Sequence, residues 1–175
     1  MEWAKGIVVE LAKEVSLALD NLPVTVTNDA NAAAYGELVA GAGRGAKDFS
    51  VHKFGHALGM KYDYAHGATL SAVWGSWAEY IYDGDVDRFA HYAEKVWGVK
   101  SEDKEFAAKE GIHKTVEYFK EIGMPTNLRD LGLENVSDAE LMGLAMDATK
   151  NGTIKLAVVK QLDLEAVLQI FKNAK

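Results

Sequence analysis

Three of the five histidines in this sequence stand close together, at His52, His56 and His66. His52 and His56 are four positions apart, so on a helix both side chains project from one face, about one turn apart. Residues 62–65 are typical of a turn, and a second helix that starts near His66 can bring that ring back over His52. Neutral imidazole is a good ligand for iron, zinc or cobalt. The spacing leaves two interpretations open: a metal site, or a chance pair of histidines on a surface helix.

The remaining histidines, His91 and His113, fall in other segments that are predicted to be helical and that are rich in charged residues. Such surroundings are typical of a solvated helix face. We therefore expect both side chains to be exposed and to take no part in the chemistry.

The elements that must position these side chains are predicted to be helices. The chain has only two prolines and is rich in residues that favour helix. Apolar residues recur at helical spacing in most segments. A β-branched run at residues 24–27 favours a short strand or an extended connection. The predicted helices cover residues 3–20, 30–42, 51–61, 67–82, 85–97 and 101–122, a segment that begins after residue 137, and residues 163–174.

The ends of the later helices carry recognisable caps. Ser101 is expected to cap the long helix that Gly123 ends, and Asp163 is expected to cap the last helix. Ser137 and Glu140 are spaced as a capping box. These signals predict where the C-terminal helices begin and end.

The apolar residues of the middle helices are expected to face inward, with Trp74, Trp77 and Val96 among them. The alternative for the two tryptophans is a surface that a partner domain once covered, and a bare apolar surface promotes association. The sequence therefore does not decide whether the chain forms a homo-oligomer.

Composition and charge exclude several classes of partner. The formal net charge is −7, which argues against nucleic acid or an anionic membrane, since both demand a basic face. The chain has no cysteine, so disulfides and thiolate metal sites are excluded and a cytoplasmic location is expected. No apolar run is long enough to predict a membrane-spanning helix, and the first residues do not read as a signal peptide.

Several motifs, in order along the chain, resemble the iron-dependent alcohol dehydrogenases, with the butanol dehydrogenase branch the most similar. The resemblance covers residues 49–175. The motifs are His52-Lys-Phe-Gly-His56, Asp63-Tyr-Ala-His66-Gly67, Phe89-Ala-His-Tyr-Ala-Glu-Lys-Val-Trp97-Gly98-Val99, Ile122-Gly123-Met124-Pro125 and the closing helix after Asp163.

The resemblance implies roles for the three clustered histidines. His52 and His66 would be metal ligands, and His56 would be an active-site histidine near the nicotinamide and the substrate. In the family a ferrous ion polarises the oxygen of an alcohol or aldehyde, and a hydride passes to or from NAD(P). The resemblance thus implies Fe(II) as the cofactor, with Zn(II) as an alternative on the ligand type.

Two departures from the family pattern lead us to expect weak metal binding and little or no turnover. The family takes two more ligands, an Asp and a His three residues apart, from an earlier helix, and here His52 is the first histidine in the sequence. The glycine-rich loop of the family's nucleotide-binding domain also has no counterpart. Two imidazoles alone hold a divalent ion weakly. Whether the chain is an enzyme is left open.

A second resemblance covers residues 22–49. The run Leu22-Pro-Val-Thr-Val-Thr-Asn28-Asp29-Ala-Asn-Ala, followed by the glycine-rich turn around Arg44, is similar to the ROK family of sugar kinases. By that resemblance Asp29 would be the catalytic base and Asn28 a sugar-binding residue. The family's phosphate loops and its cysteine-rich zinc motif are absent, so kinase activity is the remote alternative, and Asp29 can equally cap a helix.

The two resemblances together predict a mainly α-helical single domain over residues 1–175, like the C-terminal half of the dehydrogenases. It has at most one or two short strands near its N-terminus. Residues 1–48 would form a helix pair with the kinase-like segment, and residues 49–175 the metal-binding helical part. The chain is then a natural or engineered chimera, or a generated sequence. A non-enzymatic helical scaffold is the alternative to a truncated dehydrogenase domain.

Overall fold

A computed structural model describes residues 50–157 and 159–175 of the chain. The helices predicted at residues 3–20 and 30–42, the strand predicted at residues 24–27, and the kinase-like residues Asn28 and Asp29 lie outside the described residues. The described part is mainly helical, which confirms the predicted fold class. None of its helices is both long and apolar enough to cross a bilayer.

Most of the described elements follow one another with short connections, and the longest connection covers residues 122–137. A 3₁₀ turn at Tyr82–Gly84 separates the second helix from the third. The helices are α1 (Ser50–Tyr62), α2 (His66–Ile81), α3 (Val86–Trp97), α4 (Lys104–Glu121), α5 (Asp138–Ala148) and α6 (Leu164–Asn173), and the strands are β1 (Leu156–Ala157) and β2 (Gln161–Leu162).

The helix ends follow the predicted caps in all but one case. Gly98 and Gly123 follow α3 and α4 with φ of 65° and 75°, the left-handed conformation that glycine adopts without strain. The cap predicted at Ser101 is wrong: the side chain of Asp103 accepts from the Phe106 N–H and begins α4. Ser101 instead accepts from the Asp103 N–H at 3.1 Å, so it orients the capping residue.

The last two helices begin at the residues that the sequence predicts. Ser137 and Glu140 form a full capping box, in which the Glu140 carboxylate accepts from the Ser137 N–H at 2.9 Å. The Asp163 carboxylate accepts from the Ala166 N–H at 3.0 Å. These two caps fix the start of α5 and α6.

A small antiparallel hairpin pairs β1 with β2 just before α6. The sequence predicted strands near the N-terminus and none here, because a strand of two residues shows no period. Lys160 links the hairpin to the end of α2 and to the 3₁₀ turn that follows it. Its ammonium donates to the carboxylate of Asp83 at 2.9 Å and to the carbonyl of Tyr80 at 3.2 Å.

The core lies between α1, α2, α5 and α6. Phe54 of α1 packs against Phe171 of α6 with ring centroids 5.5 Å apart, and both side chains are fully buried. The other large, fully buried side chains are Leu58, Val73, Ile81, Ile112, Leu128, Leu141, Leu144, Leu156, Leu162 and Ile170. Burial of this apolar surface is the main force that holds α1 and α2 in place.

The helices α3 and α4 pack closely as a second pair. A Cβ placed on Gly111 of α4 would lie 2.5 Å from the Cβ of Ala93 on α3, so only glycine allows this approach. Trp74 of α2 is half-buried and its ring contacts that of Phe119 on α4. The prediction that Val96 faces inward is wrong, since it is 55% exposed. It follows Lys95 near the end of α3, where the helix face turns to solvent.

Candidate functional site

The first helix carries two of the three clustered histidines on the face opposite its buried one. Phe54 and Leu58 of α1 are fully buried, and they lie two positions after His52 and His56 respectively. Two positions on a helix correspond to about half a turn. The core contact of α1 therefore directs His52 to a half-buried position and His56 to an exposed one.

A tight reversal between α1 and α2 returns the chain to these histidines. Asp63 adopts the left-handed conformation, with φ of 57°, and its N–H donates to the Gly59 carbonyl at 2.9 Å. His66 then forms the first residue of α2. A side chain in the first turn of α2 is in this way brought beside the face of α1 that carries His52.

Gly55 lets the two helices approach at this point. A Cβ on Gly55 would lie 2.7 Å from Cδ2 of Leu70 and 3.1 Å from Oγ1 of Thr69, both side chains of α2. Because Gly55 has no side chain, the first turns of α2 can pack directly against α1. Leu70 was expected on the inward side of its helix, but its contact with Gly55 has no signal in a single sequence.

The structure brings all three histidines together. The ring centroids of His52 and His66 are 5.0 Å apart, and those of His56 and His66 are 5.1 Å apart. The rings of His52 and His56, one turn apart on α1, are separated by 5.8 Å. The three rings thus form a nearly equilateral triangle between α1 and the first turn of α2.

One ring nitrogen in this triangle is buried without a partner. Within the described residues, Nε2 of His66 is shielded from solvent and makes no hydrogen bond. An unsatisfied buried polar atom costs about 1–3 kcal/mol, so such atoms are rare and call for an explanation. The Thr69 hydroxyl donates to the His66 carbonyl at 2.7 Å, which anchors the start of α2 beneath the ring.

The electrostatics around His56 favour its neutral form. The pKa of His56 is lowered, first because burial disfavours its charged form, and then because His66 and Lys53 lie near it. A metal ligand must offer a neutral ring with a free lone pair. A lowered pKa keeps the His56 ring neutral, and so able to bind a metal ion, to a lower pH than an ordinary histidine.

The donors of this site only partly fit the metal centre that the histidines suggest. Two rings 5.0 Å apart, one with a buried unpartnered nitrogen, suit two ligands of one ion. As the side chains stand, no three His, Asp or Glu groups in residues 50–157 and 159–175 are arranged to hold a metal. The described residues therefore supply two fitting donors, with a third imidazole beside them.

The other histidines lie away from this triangle. His91 and His113 are both exposed, as predicted. An open groove of about 500 Å³ lies between the end of α2 and α4, and none of the three clustered histidines borders it. Its lining residues are Glu79, Tyr82, Phe106, Lys109, Glu110 and His113.

Before any comparison, the structure defines the class of protein as a helical domain with three clustered histidines on its first two described helices. Comparison with known proteins gives the family. Residues 8–175 match the C-terminal part of the Fe-containing alcohol dehydrogenase family, and the chain belongs to this family. The match begins well before residue 49, so it includes the segment that also resembles sugar kinases.

Curated relatives agree with this membership. The chain is 35% identical over 130 residues to NADH-dependent butanol dehydrogenase A of Clostridium acetobutylicum, covering 73% of this chain and 33% of that protein. It is 34% identical over 146 residues to 1,3-propanediol dehydrogenase of Citrobacter freundii, covering 81% and 36%. The chain therefore spans about a third of the length of the curated relatives it matches.

Solved structures share the fold. The crystal structure of NADH-dependent butanol dehydrogenase A from Thermotoga maritima superposes with a TM-score of 0.63 at 27% identity, covering 71% of this chain and 32% of that one. The aldehyde reductase YqhD from E. coli gives a TM-score of 0.66 at 24% identity, covering 73% and 33%, which shows the fold alone. The helical arrangement described above is thus that of the dehydrogenases' C-terminal part.

Proposed function

We propose that this chain provides part of the metal centre of an alcohol dehydrogenase, with His52 and His66 as two of its ligands. The observation that carries the proposal is the approach of these two rings to 5.0 Å, together with the buried, unpartnered Nε2 of His66. Family membership supports the role, because the matched relatives are dehydrogenases of alcohols.

The reaction that we propose is the one that the resemblance implies, NAD(P)-linked hydride transfer between an alcohol and an aldehyde in the cytoplasm. Fe(II) is the expected ion, with Zn(II) as the alternative. When bound, the ion supplies Lewis-acid polarisation of the substrate oxygen. His52 and His66 would hold the ion, and the exposed ring of His56 would face the substrate.

On its own, the 175-residue chain is expected to bind metal weakly and to show little or no turnover. The sequence has no histidine before His52, so the Asp and His pair of the family has no counterpart in it. Two imidazoles fill half of a four-ligand sphere. Nicotinamide cofactor binding likewise has no residue assigned to it in this sequence.

Metal titration tests the proposal directly. Co(II), Zn(II) and anaerobic Fe(II) are titrated into the metal-free chain by calorimetry, and the titration is repeated with His52→Ala, His66→Ala and the double variant. Each single variant should lose affinity by about tenfold or more, since a tenfold loss corresponds to about 1.4 kcal/mol of binding energy. His91→Ala, which removes an exposed histidine elsewhere, is the matched control and should bind like the wild type.

Two results of the titration would contradict the proposal. If the wild type and the double variant bind with equal affinity, the ligand assignment is refuted. No binding and no thermal shift in any metal would favour the non-enzymatic scaffold. If only the folded chain bound the metal, saturation at 100 times the dissociation constant would add about 2.7 kcal/mol to the free energy of unfolding, and binding by the unfolded chain would lower this gain.

A further inference from the structure

We propose that Met60 is a site of reversible oxidation by hydrogen peroxide, at which the thioether becomes a sulfoxide. This inference goes beyond the proposed function and needs no metal ion. Two observations carry it. Met60 is 84% exposed, more than any other large hydrophobic side chain of the described residues. The sequence also contains no cysteine.

The sulfur chemistry of the chain is limited to thioethers. Where a protein has accessible, ionised thiols, peroxides react with them readily, but this sequence has five methionines and no cysteine. The thioethers are therefore the sulfur nucleophiles that peroxide meets. Among the other methionines of the described part, Met124 and Met142 are half-buried and Met146 is 40% exposed. Met60 is thus the most accessible of these thioethers.

The helix directs Met60 away from the core. Met60 lies two positions after the fully buried Leu58, which is about half a turn around α1, and one turn after the exposed His56. Its sulfur can gain an oxygen without disturbing the core, whereas a sulfoxide at Met142 would place a polar group against the core. Oxidation of Met60 should therefore leave the fold intact and make one apolar side chain beside His56 polar.

The oxidation step transfers one oxygen atom and two electrons. A lone pair of the Met60 sulfur attacks one oxygen of the peroxide, so that an S–O bond forms and the O–O bond breaks. The departing hydroxide takes the proton from the transferred oxygen, which gives the sulfoxide and water. A methionine sulfoxide reductase reverses the change with a dithiol as the reductant. Two thiols then become one disulfide, and the sulfoxide oxygen leaves as water.

Oxidation of the metal-free chain tests the inference. Dilute hydrogen peroxide is added to the whole chain with a chelator present, and the gain of one oxygen at each methionine is followed by mass spectrometry of tryptic peptides. Trypsin cuts after Lys53 and Lys61, so Met60 is the one methionine in its peptide. Met60 should oxidise about tenfold faster than Met124 and Met142, because susceptibility follows exposure.

Oxidation at Met60 should leave the helical circular dichroism unchanged, and a methionine sulfoxide reductase with a dithiol should restore the original mass of the peptide. In urea the rates at the four methionines should converge, because unfolding exposes every thioether. Met146→Leu removes a less exposed thioether, so it is the matched control and should leave the rate at Met60 unchanged.

Two results would overturn the inference. One is an equal rate at the four methionines of the native chain, or a slower rate at Met60 than at Met146. The other is a sulfoxide at Met60 that the reductase leaves unreduced in the native chain.

Discussion

At the scale of single residues, two buried side-chain atoms in the described part of the chain make no hydrogen bond, and one of them is Nε2 of His66. The other is the hydroxyl of Tyr62 at the end of α1, whereas two buried threonine hydroxyls elsewhere are satisfied. Thr115 and Thr149 both donate to a carbonyl one turn earlier in their helices, at 2.8 and 2.7 Å. The unsatisfied Nε2 of His66 lies beside the rings of His52 and His56, and the metal-ligand role proposed above would account for its burial.

Asp130 gives a test of single-residue electrostatics away from the site. Its pKa is lowered from 3.8, first by the backbone N–H of Thr126 and then by hydrogen bonds from the Thr126 hydroxyl and the Asn127 amide. A lowered folded-state pKa stabilises the fold fully above the unfolded value, and this contribution is lost as pH falls through the folded value.

Asp130→Asn should therefore lower the free energy of unfolding at neutral pH, by less than about 1 kcal/mol because the carboxylate is exposed. The difference between variant and wild type should shrink below pH 4 and vanish in stronger acid. Urea unfolding at a series of pH values measures it. Thr126→Val keeps the backbone donor and should lose only part of the effect. A difference that is independent of pH would contradict this account.

The sequence was enough to predict which residues form the site, but it predicted only part of their arrangement in space. The spacing of His52 and His56 indicates a shared helix face, and a turn before His66 indicates a return. The distances between rings depend on Asp63 at a positive φ and on the close approach at Gly55. Neither has a signature in one sequence, since aspartate is common in turns of any type.

At the scale of elements, two helix hairpins each depend on a glycine at the point of contact. Gly55 of α1 leaves room for the side chain of Leu70 on α2, and Gly111 of α4 leaves room for Ala93 on α3. Packing of this kind tolerates little added volume. The hairpins differ in consequence, because the first carries the histidine triangle and the second packs on α2 through Trp74.

Gly111→Ala should destabilise the fold by about 1–3 kcal/mol, because the new methyl group would overlap the Cβ and approach the Cα of Ala93. Gly143→Ala is the matched control, since a Cβ there would meet only Lys61 Nζ at an ordinary 3.8 Å. It should stabilise α5 by about 0.5–1 kcal/mol through helix propensity. Thermal and urea unfolding of both variants measure the two effects, and a stabilised Gly111→Ala would show that the α3–α4 contact is looser than described.

The helices themselves were largely predictable, because their apolar period and their caps agree. α1, α2, α3 and α6 start and end within one or two residues of the predicted bounds. The start of α4 was misplaced because Ser101 and Asp103 are both good caps, and only the fold shows which one the helix uses. The hairpin of β1 and β2 is set by its contact with Lys160 and Asp83, which lies far away in sequence.

At the scale of the whole molecule, α2 joins the parts of the described structure. Its buried side chains belong to the core that α1, α5 and α6 share, while Trp74 meets Tyr92 and Phe119 of the α3–α4 pair. An element common to both sets of contacts couples their stability. The prediction of a single domain over residues 1–175 stays a prediction.

Unfolding should accordingly be one cooperative transition. In a Trp3→Phe background the remaining tryptophans, Trp74, Trp77 and Trp97, report on α2 and α3 by fluorescence, whereas circular dichroism reports on all helices. The two urea curves should coincide, with one midpoint and one slope. Trp97→Phe, which removes the reporter of α3, is the control and should leave the shared midpoint close to its original value. A fluorescence transition at a different urea concentration would mean that the α3–α4 pair unfolds separately.

The short stretch of chain between His52 and His66 also shapes how the denatured protein behaves towards metal. In the unfolded chain, bringing His52 and His66 together costs little conformational entropy because the loop between them is short. Denatured molecules would therefore chelate the same ion, and that competition subtracts from the protection given to the native form. The metal affinity of the native protein would therefore be underestimated from melting curves recorded with metal. Refolding with metal present would begin from an unfolded chain in which the ion already joins His52 to His66.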